Sequence, residues 1–290
     1  MPAQTIDVTL CTDCGLCVKV CKSMIYTTRD GVVTLSDQPV EMCLACGQCA
    51  AACPTGAITV EGAPVSEYSP EPPASAEALL SLMRRRRSIR SYRPDPVPHE
   101  LLEKIVEAAR SAPMCFPPTP VECTILPTRA LVTPIFPVCV KQSRELRRMM
   151  IGGLGRVMLR RMAGQKAYDL IKDHMMPLLG DWLDTPEAEQ DDWCCWGAPA
   201  LLIFHADRKS PTGETDCLIA CTQAMLMAEA LGLGAIQLGF AAATVERDKG
   251  LRERYGLPAQ TQVYSTLAVG YPAVKFARQV DRDLRSVRWV

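Results

Sequence analysis

The chain has 290 residues, 48% of them hydrophobic and 22% charged, with 32 basic and 32 acidic side chains and a mean hydropathy of +0.04. That balance excludes a disordered chain, offers no basic surplus for nucleic acid, and at this length suits one large domain plus a small one. Fifteen cysteines follow a start, "MPAQTIDVTL", that has neither the basic head nor the apolar run of a secretory leader, so the expectation is a reducing cytoplasm and metal ligation ahead of disulfides.

The first motif is "CTDCGLCVKVCK", with Cys11, Cys14, Cys17 and Cys21. It is echoed 32 residues on by "CLACGQCAAACP", with Cys43, Cys46, Cys49 and Cys53, a duplication that implies pseudo-twofold symmetry. In Cys-x2-Cys-x2-Cys-x3-Cys, three thiolates of one tight loop hold three irons of a cubane and the fourth crosses to the other cluster. On that crossing one [4Fe-4S] cluster takes Cys11, Cys14, Cys17 and Cys53, and the other takes Cys43, Cys46, Cys49 and Cys21. Zinc is the alternative, but zinc sites pair Cys-x2-Cys units across longer loops. The second copy runs on into "TGAITVEG", which reads as a turn and a short strand. Residues 1–68 carry a net charge of −4, which suits an acidic electron carrier resting on a basic module and equally suits an ordinary soluble surface.

Residues 5–62 resemble a bacterial two-cluster ferredoxin domain. Lys22 stands where that family usually has proline after the fourth cysteine, while Pro54 keeps it in the second copy; the departure removes no ligand. A proline-rich stretch, "GAPVSEYSPEPPASAEA", follows and reads as an extended linker. The expected organisation is therefore a ferredoxin domain over 1–62, a linker over 63–77 and a larger domain over 78–290.

In the larger segment "PVPHELLEKIVEAARSAP" places Leu101, Leu102, Ile105, Val106, Ala108 and Ala109 on one face between Pro98 and Pro113, which predicts an amphipathic helix. "VECTIL", "ALLIFHA" and "QVYSTLAVGY" predict strands. Cys217 to Leu231 predicts a helix apolar almost all round and so buried on most sides, rather than a membrane span, because Thr222, Gln223 and Glu229 interrupt it. Residues of about 141–192, rich in Arg, Met and Leu, read as an irregular helical insertion over a site, its methionines (Met149, Met150, Met158, Met162, Met175, Met176) lining a core. The fold class is α+β, a mixed sheet with surrounding helices.

Several stretches, in order, are similar to the FMN-dependent nitroreductase family: "RRRRSIRSYRPDPVPHELLEKIVEAARSAP", "GAPALLIFH", "DCLIACTQAMLMAEALGLGAIQLGF", "LRERYGLP" and "LAVGYP". Guanidinium forks and a hydroxyl at Arg86, Arg87, Ser88 and Arg90 suit a phosphate and a ribityl chain; a solvated helix end is the plain alternative, and it is the one preferred for Arg84 and Arg85. The resemblance implies that Arg86, Arg87, Ser88 and Arg90 contact FMN, that Gln237, Leu238 and Gly239 bring backbone groups near the reactive flavin nitrogen, and that Lys275, Arg282 and, more weakly, Arg278 hold the phosphate. It implies a homodimer with FMN at the interface, where Met114, Cys115, Pro117 and Thr119 serve the partner's flavin. In that segment "APMCFPPTPVEC" departs from the family's Asn-x-Gln-Pro run and resembles members fused to ferredoxin domains, which puts ordinary nitroreductase substrates in doubt.

No GxGxxG follows a predicted strand, so no nicotinamide domain is visible. The implied function is a cytoplasmic, ferredoxin-linked flavoprotein oxidoreductase of an anaerobic setting. Electrons would pass from reduced ferredoxin or a similar donor through two [4Fe-4S] clusters to FMN and on to a small nitroaromatic, quinone-like or unsaturated acceptor, with no nucleic acid or membrane partner. An NAD(P)H-dependent enzyme with clusters as electron store, and an electron-transfer module without its own substrate, are the alternatives. Lys166, Tyr168 and His174, with Asp169, are weak candidates for proton transfer, while His99 and His205 read as structural. Cys139, Cys217 and Cys221 read as core residues and Cys194 and Cys195 as neighbours of the flavin pocket.

Overall fold

The computed structural model describes residues 3–39, 42–115, 120–185, 191–281 and 283–289, with nothing said of the Asp181 side chain. The chain divides into two compact units, Met1–Ala74 with Met114–Thr119, and Ser75–Pro113 with Pro120–Val290.

In the first unit, β1 (Gln4–Ile6) is followed by α1 (Leu16–Val20), the hairpin strands β2 (Tyr26–Arg29) and β3 (Val32–Leu35), α2 (Gln48–Ala51) and β4 (Ile58–Val60). β1 and β4 pair antiparallel, Gln4 against Val60, and tie the two ends of the module together. Asp30 and Gly31 close the hairpin with φ of 51° and 83°, the primed turn that Asp-Gly favours. The repeat survives as conformation: Asp13 and Ala45 have φ of 53° and 49°, and Gly15 and Gly47, each capping the helix that follows, both have φ of 70°. Glycine meets that left-handed demand without a Cβ penalty. A small core of Ile25, Tyr26, Val33, Ala50, Ile58 and Val60 includes Cys17 and Cys49.

The second unit begins with α3 (Ala76–Arg85), whose Ser75 cap accepts from the Ala78 N–H at 3.2 Å. Then come α4 (His99–Arg110), β5 (Glu122–Leu126), α5 (Arg129–Val132), α6 (Ile135–Ile151), α7 (Gly153–Leu170), a π turn over Ile171–Met175 and α8 (Met176–Asp184). The chain continues through β6 (Ala200–Asp207), α9 (Gly213–Ala230), β7 (Gly234–Gln237), α10 (Gly239–Arg247), α11 (Lys249–Arg254) and β8 (Thr261–Gly270). The sheet order is β5-β6-β8-β7, every neighbouring pair antiparallel.

β6 is buried from Ala200 to Ala206, and the period of two divides its side chains between two cores. Leu202 and Phe204 pack with Leu102, Ile105, Ala224 and Leu267 under α4 and α9. Leu201 and Ile203 pack with Val132, Ile135, Ala241 and Val245 under α5, α6 and α10. A strand covered on both faces reads as a continuous apolar run, which is why "ALLIFHA" does not alternate. α9 is buried along much of its length and belongs to this core. Among the described residues no helix is long and apolar enough to cross a membrane.

The mixed character of the sheet comes from a bridge outside the named strands, Ser88 parallel to Ala235. The Ile89 N–H donates to the Ala235 carbonyl at 3.2 Å, and two residues beyond, Ala273 donates to the Ser91 carbonyl at 2.9 Å. This approach needs Gly234, where a Cβ would lie 2.5 Å from Ile89 Cγ1.

The helical insertion is broken by Gly164, at φ 79° and ψ 165° within α7. One expectation fails there: Met162 is 74% exposed and Met158 49%, so these methionines do not line a core within this chain. Both methionines precede the kink, on a helix where arginines (Arg156, Arg160, Arg161) interrupt the apolar residues and Leu159 is the buried one.

Replacing Gly234 by Ala forces backbone-bonded Ile89 away from β7 and is expected to cost about 1–3 kcal/mol. Urea unfolding of the full chain checks it, and trimming Ile89 to Ala in the same chain is expected to restore part of the loss.

Candidate functional site

Two groups of side chains collect the chemistry, one in each unit. In the first unit Cys11, Cys14, Cys17 and Cys53 line one hollow with Gly15, Leu16, Val33 and Ile58. Burial pushes the Cys17 thiol up, and nearby Cys14 and Cys11 push the same way. Burial also pushes Cys53 up, but the Thr55 hydroxyl and the backbone N–H groups of Thr55, Ala57 and Ile58 outweigh it, so the net shift is downward. The Ala57 N–H points at Cys53 Sγ from 3.3 Å.

The second copy surrounds Tyr26. Burial drives the Tyr26 hydroxyl well up, and the thiols of Cys49, Cys21 and Cys43 add to it. Cys49 is in turn pushed up by burial, with Cys21 and Cys46 adding to it. Cys21 therefore stands among the thiols of the second copy although it follows the first in sequence. The Tyr26 hydroxyl meets the Cys49 thiol, a contact that favours the Cys49 thiolate although burial outweighs it. Among the described residues no three Cys, His, Asp or Glu side chains are placed to share a single ion. Asp13, Gly15, Ala45 and Gly47 have positive φ, the backbone conformation from which anion-binding nests are built.

In the second unit α3 delivers the chain into the basic motif. Arg85 and Arg87 line an open cleft of about 1050 Å³ together with Glu229, Lys275 and Arg278. Arg87 donates through Nη1 to the Arg86 carbonyl at 2.7 Å, while its Nε and Nη2 are buried with no partner in the protein. A buried guanidinium left without an acceptor is costly. It fits a site for a phosphate, whose oxygens the fork matches.

The other expected residues distribute unevenly. Arg86 directs Nη1 to the Met225 sulfur at 3.6 Å, away from the cleft lining. Ser88 is fixed beside Ala235. Gln237 donates to Ser265 Oγ at 3.0 Å. The Leu238 N–H is committed to the Thr266 carbonyl at 2.9 Å and its carbonyl accepts the Thr266 hydroxyl at 2.8 Å, so the free backbone N–H groups here are those of the first turn of α10, from Gly239. Met114 and Cys115 lie in the other unit, and Pro117, Thr119 and Arg282 fall outside the described residues.

Lys166, Tyr168 and His174 lie on α7 and the π turn, and none lines the cleft. His99 pairs with Glu103 at 3.1 Å. His205 is buried, meets Thr124 Oγ1 at 3.1 Å, and is pushed down first by burial. Cys194 and Cys195 are fully buried in the core beside Cys139, the packing that is usual for a free cysteine. Sequence reasoning missed Arg85 as a cleft residue, because a run of four arginines carries no signal of which ones α3 turns inward. It also missed Trp196, whose ring takes the Arg90 guanidinium at 5.9 Å; the signal was an aromatic residue directly before the glycine of "GAPA".

Residues 83–271 match the family described as the nitroreductase family, and residues 10–58 match a 4Fe-4S dicluster domain. A Thermus thermophilus protein named NADH dehydrogenase is 28% identical over 194 residues, covering 65% of this chain and 84% of its own. The crystal structure of a nitroreductase with bound FMN from Bacteroides fragilis superimposes with a TM-score of 0.54 at 19% identity, covering 73% of this chain and 98% of that one. A second nitroreductase with bound FMN, from Desulfitobacterium hafniense, gives 0.52 at 19% identity, covering 73% and 97%.

Two outcomes follow from this geometry. Cys21→Ser is expected to empty the thiol set of Cys43, Cys46 and Cys49 first and to halve the iron content measured by chelation and absorbance. Arg87→Met is expected to stabilise the chain stripped of small molecules by about 1 kcal/mol, and to remove the rise in melting temperature that inorganic phosphate gives the parent chain.

Proposed function

The chain belongs to the nitroreductase family, and from that premise we propose that it is an iron–sulfur flavoprotein oxidoreductase whose N-terminal unit feeds electrons from a low-potential donor such as reduced ferredoxin. The observation that carries this reading is the sorting of eight cysteines into two sets, with Cys53 lining the hollow of the first copy and Cys21 beside the second. A carrier of this kind moves electrons one at a time and has no use unless something on the chain consumes them.

Arg87, Lys275 and Arg278, which share the cleft, would hold the FMN phosphate, with Arg282 beyond them. Ser88, pinned at the sheet edge, would meet the ribityl chain, and Arg86 and Arg90 would complete the contacts. The N–H groups opening α10 after Gln237 and Leu238 point their dipole at whatever carries negative charge there. Bound in this way, FMN would supply two-electron reduction of a small nitroaromatic, quinone-like or unsaturated acceptor, fed singly by two [4Fe-4S] clusters.

The protein would act as a cytoplasmic homodimer, with Met114, Cys115, Pro117 and Thr119 serving the partner's flavin. Exposed apolar residues on α3 (Leu79, Leu80, Met83) and in the C-terminal tail (Phe276, Leu284, Trp289) support a partner surface. The name of the Thermus relative favours a second reading, in which NAD(P)H reduces the flavin directly and the clusters store or drain electrons.

Anaerobic addition of reduced ferredoxin to the full chain is expected to bleach the iron–sulfur and flavin absorbance quickly, with NADH and NADPH acting slowly. Rapid bleaching by NAD(P)H alone would establish the second reading instead. Purification without about one flavin and about eight irons per chain would overturn both.

A further inference from the structure

Among the described residues five non-glycine residues have positive φ: Asp13, Met24, Asp30, Ala45 and Trp196, the last at 55°. Four lie in the smaller unit, in its cysteine loops and hairpin. Trp196 alone belongs to the larger unit, and a bulky side chain in that region is an outlier that persists only where its surroundings hold it.

What holds it is Asp192. Its carboxylate accepts the Cys195 N–H at 2.8 Å and the Gly197 N–H at 3.2 Å, on either side of Trp196. It also pairs with Arg129 Nη1 at 3.0 Å, and the same Arg129 nitrogen donates to the Ala198 carbonyl at 3.3 Å. The residue after Asp192 anchors the loop as well: the Trp193 ring meets Phe240 edge-on, with centroids 4.8 Å apart. Phe240 follows Gly239 in the first turn of α10. The six residues from Asp192 to Gly197 thus lie between the two segments assigned to the flavin, touching Arg90 on one side and Phe240 on the other.

The strain has one visible product. It presents the indole to the Arg90 guanidinium at 5.9 Å, and among the described residues no carboxylate pairs with Arg90. An arginine with no anionic partner would otherwise sample many rotamers, and the face of an indole is the best aromatic surface to restrain it. We propose that Trp196 is a positioning residue, whose indole holds Arg90 in the orientation in which the guanidinium meets the pyrimidine edge of FMN. The inference rests on the FMN reading given above. A cation fixed at that edge favours negative charge on the reduced flavin, so Trp196 affects both retention and potential.

The test uses the full-length holoprotein and compares the parent with Trp196→Leu, Trp196→Phe, Arg90→Leu and the double variant Trp196→Leu with Arg90→Leu. Flavin released on dilution is read from free-flavin fluorescence, and the flavin midpoint potential is read by anaerobic titration. Trp196→Leu is expected to weaken retention about threefold to tenfold and to lower the potential. Trp196→Phe, which keeps an aromatic face, is expected to stay within about twofold of the parent. Once Arg90→Leu is present, Trp196→Leu is expected to add nothing, the mark of two residues acting as one. Multiplying effects in the double variant, an unchanged potential, or equal damage from Phe and Leu would each overturn the proposal. Trp196→Met replaces the leucine variant if the latter does not fold. A parent protein without flavin would instead overturn the FMN reading, and shows itself before any variant is compared.

Discussion

The basic motif depends on a single close approach of backbone to backbone. Ile89 hydrogen-bonds to Ala235 and presses on Gly234, where a side chain would collide with it. That contact converts a charged coil after α3 into an added element at the sheet edge. Without it, Arg87 would be a solvated arginine. With it, two guanidinium nitrogens are buried in a cleft wall without acceptors, and the cost is met by the rest of the unit: β6, covered on both faces, ties two cores into one cooperative body. A site that stores an unpaired charge needs such a scaffold behind it, because protein stability is the small remainder of large opposing terms.

The smaller unit solves the opposite problem. Its core contains few large apolar side chains, and two of its buried members are the thiols Cys17 and Cys49. So little apolar area stabilises a chain of this length poorly. Left-handed residues stand at matched places in both copies, and the first copy with Cys53 lines a hollow. The backbone N–H groups aimed at Cys53 are dipoles placed where thiolate charge is favoured.

Much of this was legible from side-chain periodicity and spacing. α4 carries its apolar face at helical spacing and buries Leu102 and Ile105; β6 and β8 follow apolar runs of strand length; α9, apolar all round, is buried among other elements. Exposed Met158 and Met162 were not legible, because apolar spacing says that a face seeks cover and not which surface covers it. Cys194 and Cys195, adjacent in sequence to a predicted pocket, are both buried because the Asp192 loop folds them inward.

The sequence by itself determined the chemistry available: eight thiols in two copies, a cluster of guanidinium groups ahead of a helix, and enough apolar periodicity to fold a layered domain around them. Those properties are local, set by residue type and by spacing along one chain. Tertiary structure alone decided which groups meet. It set Cys21 among the thiols of the second copy, joined Arg87 to Lys275 and Arg278 across nearly 190 residues of chain, spent the Leu238 N–H on Thr266, and placed Trp196 against Arg90. Contacts between distant segments depend on how the sheet edge, the cores and the loop around Asp192 close together, and no spacing along the chain encodes that closure.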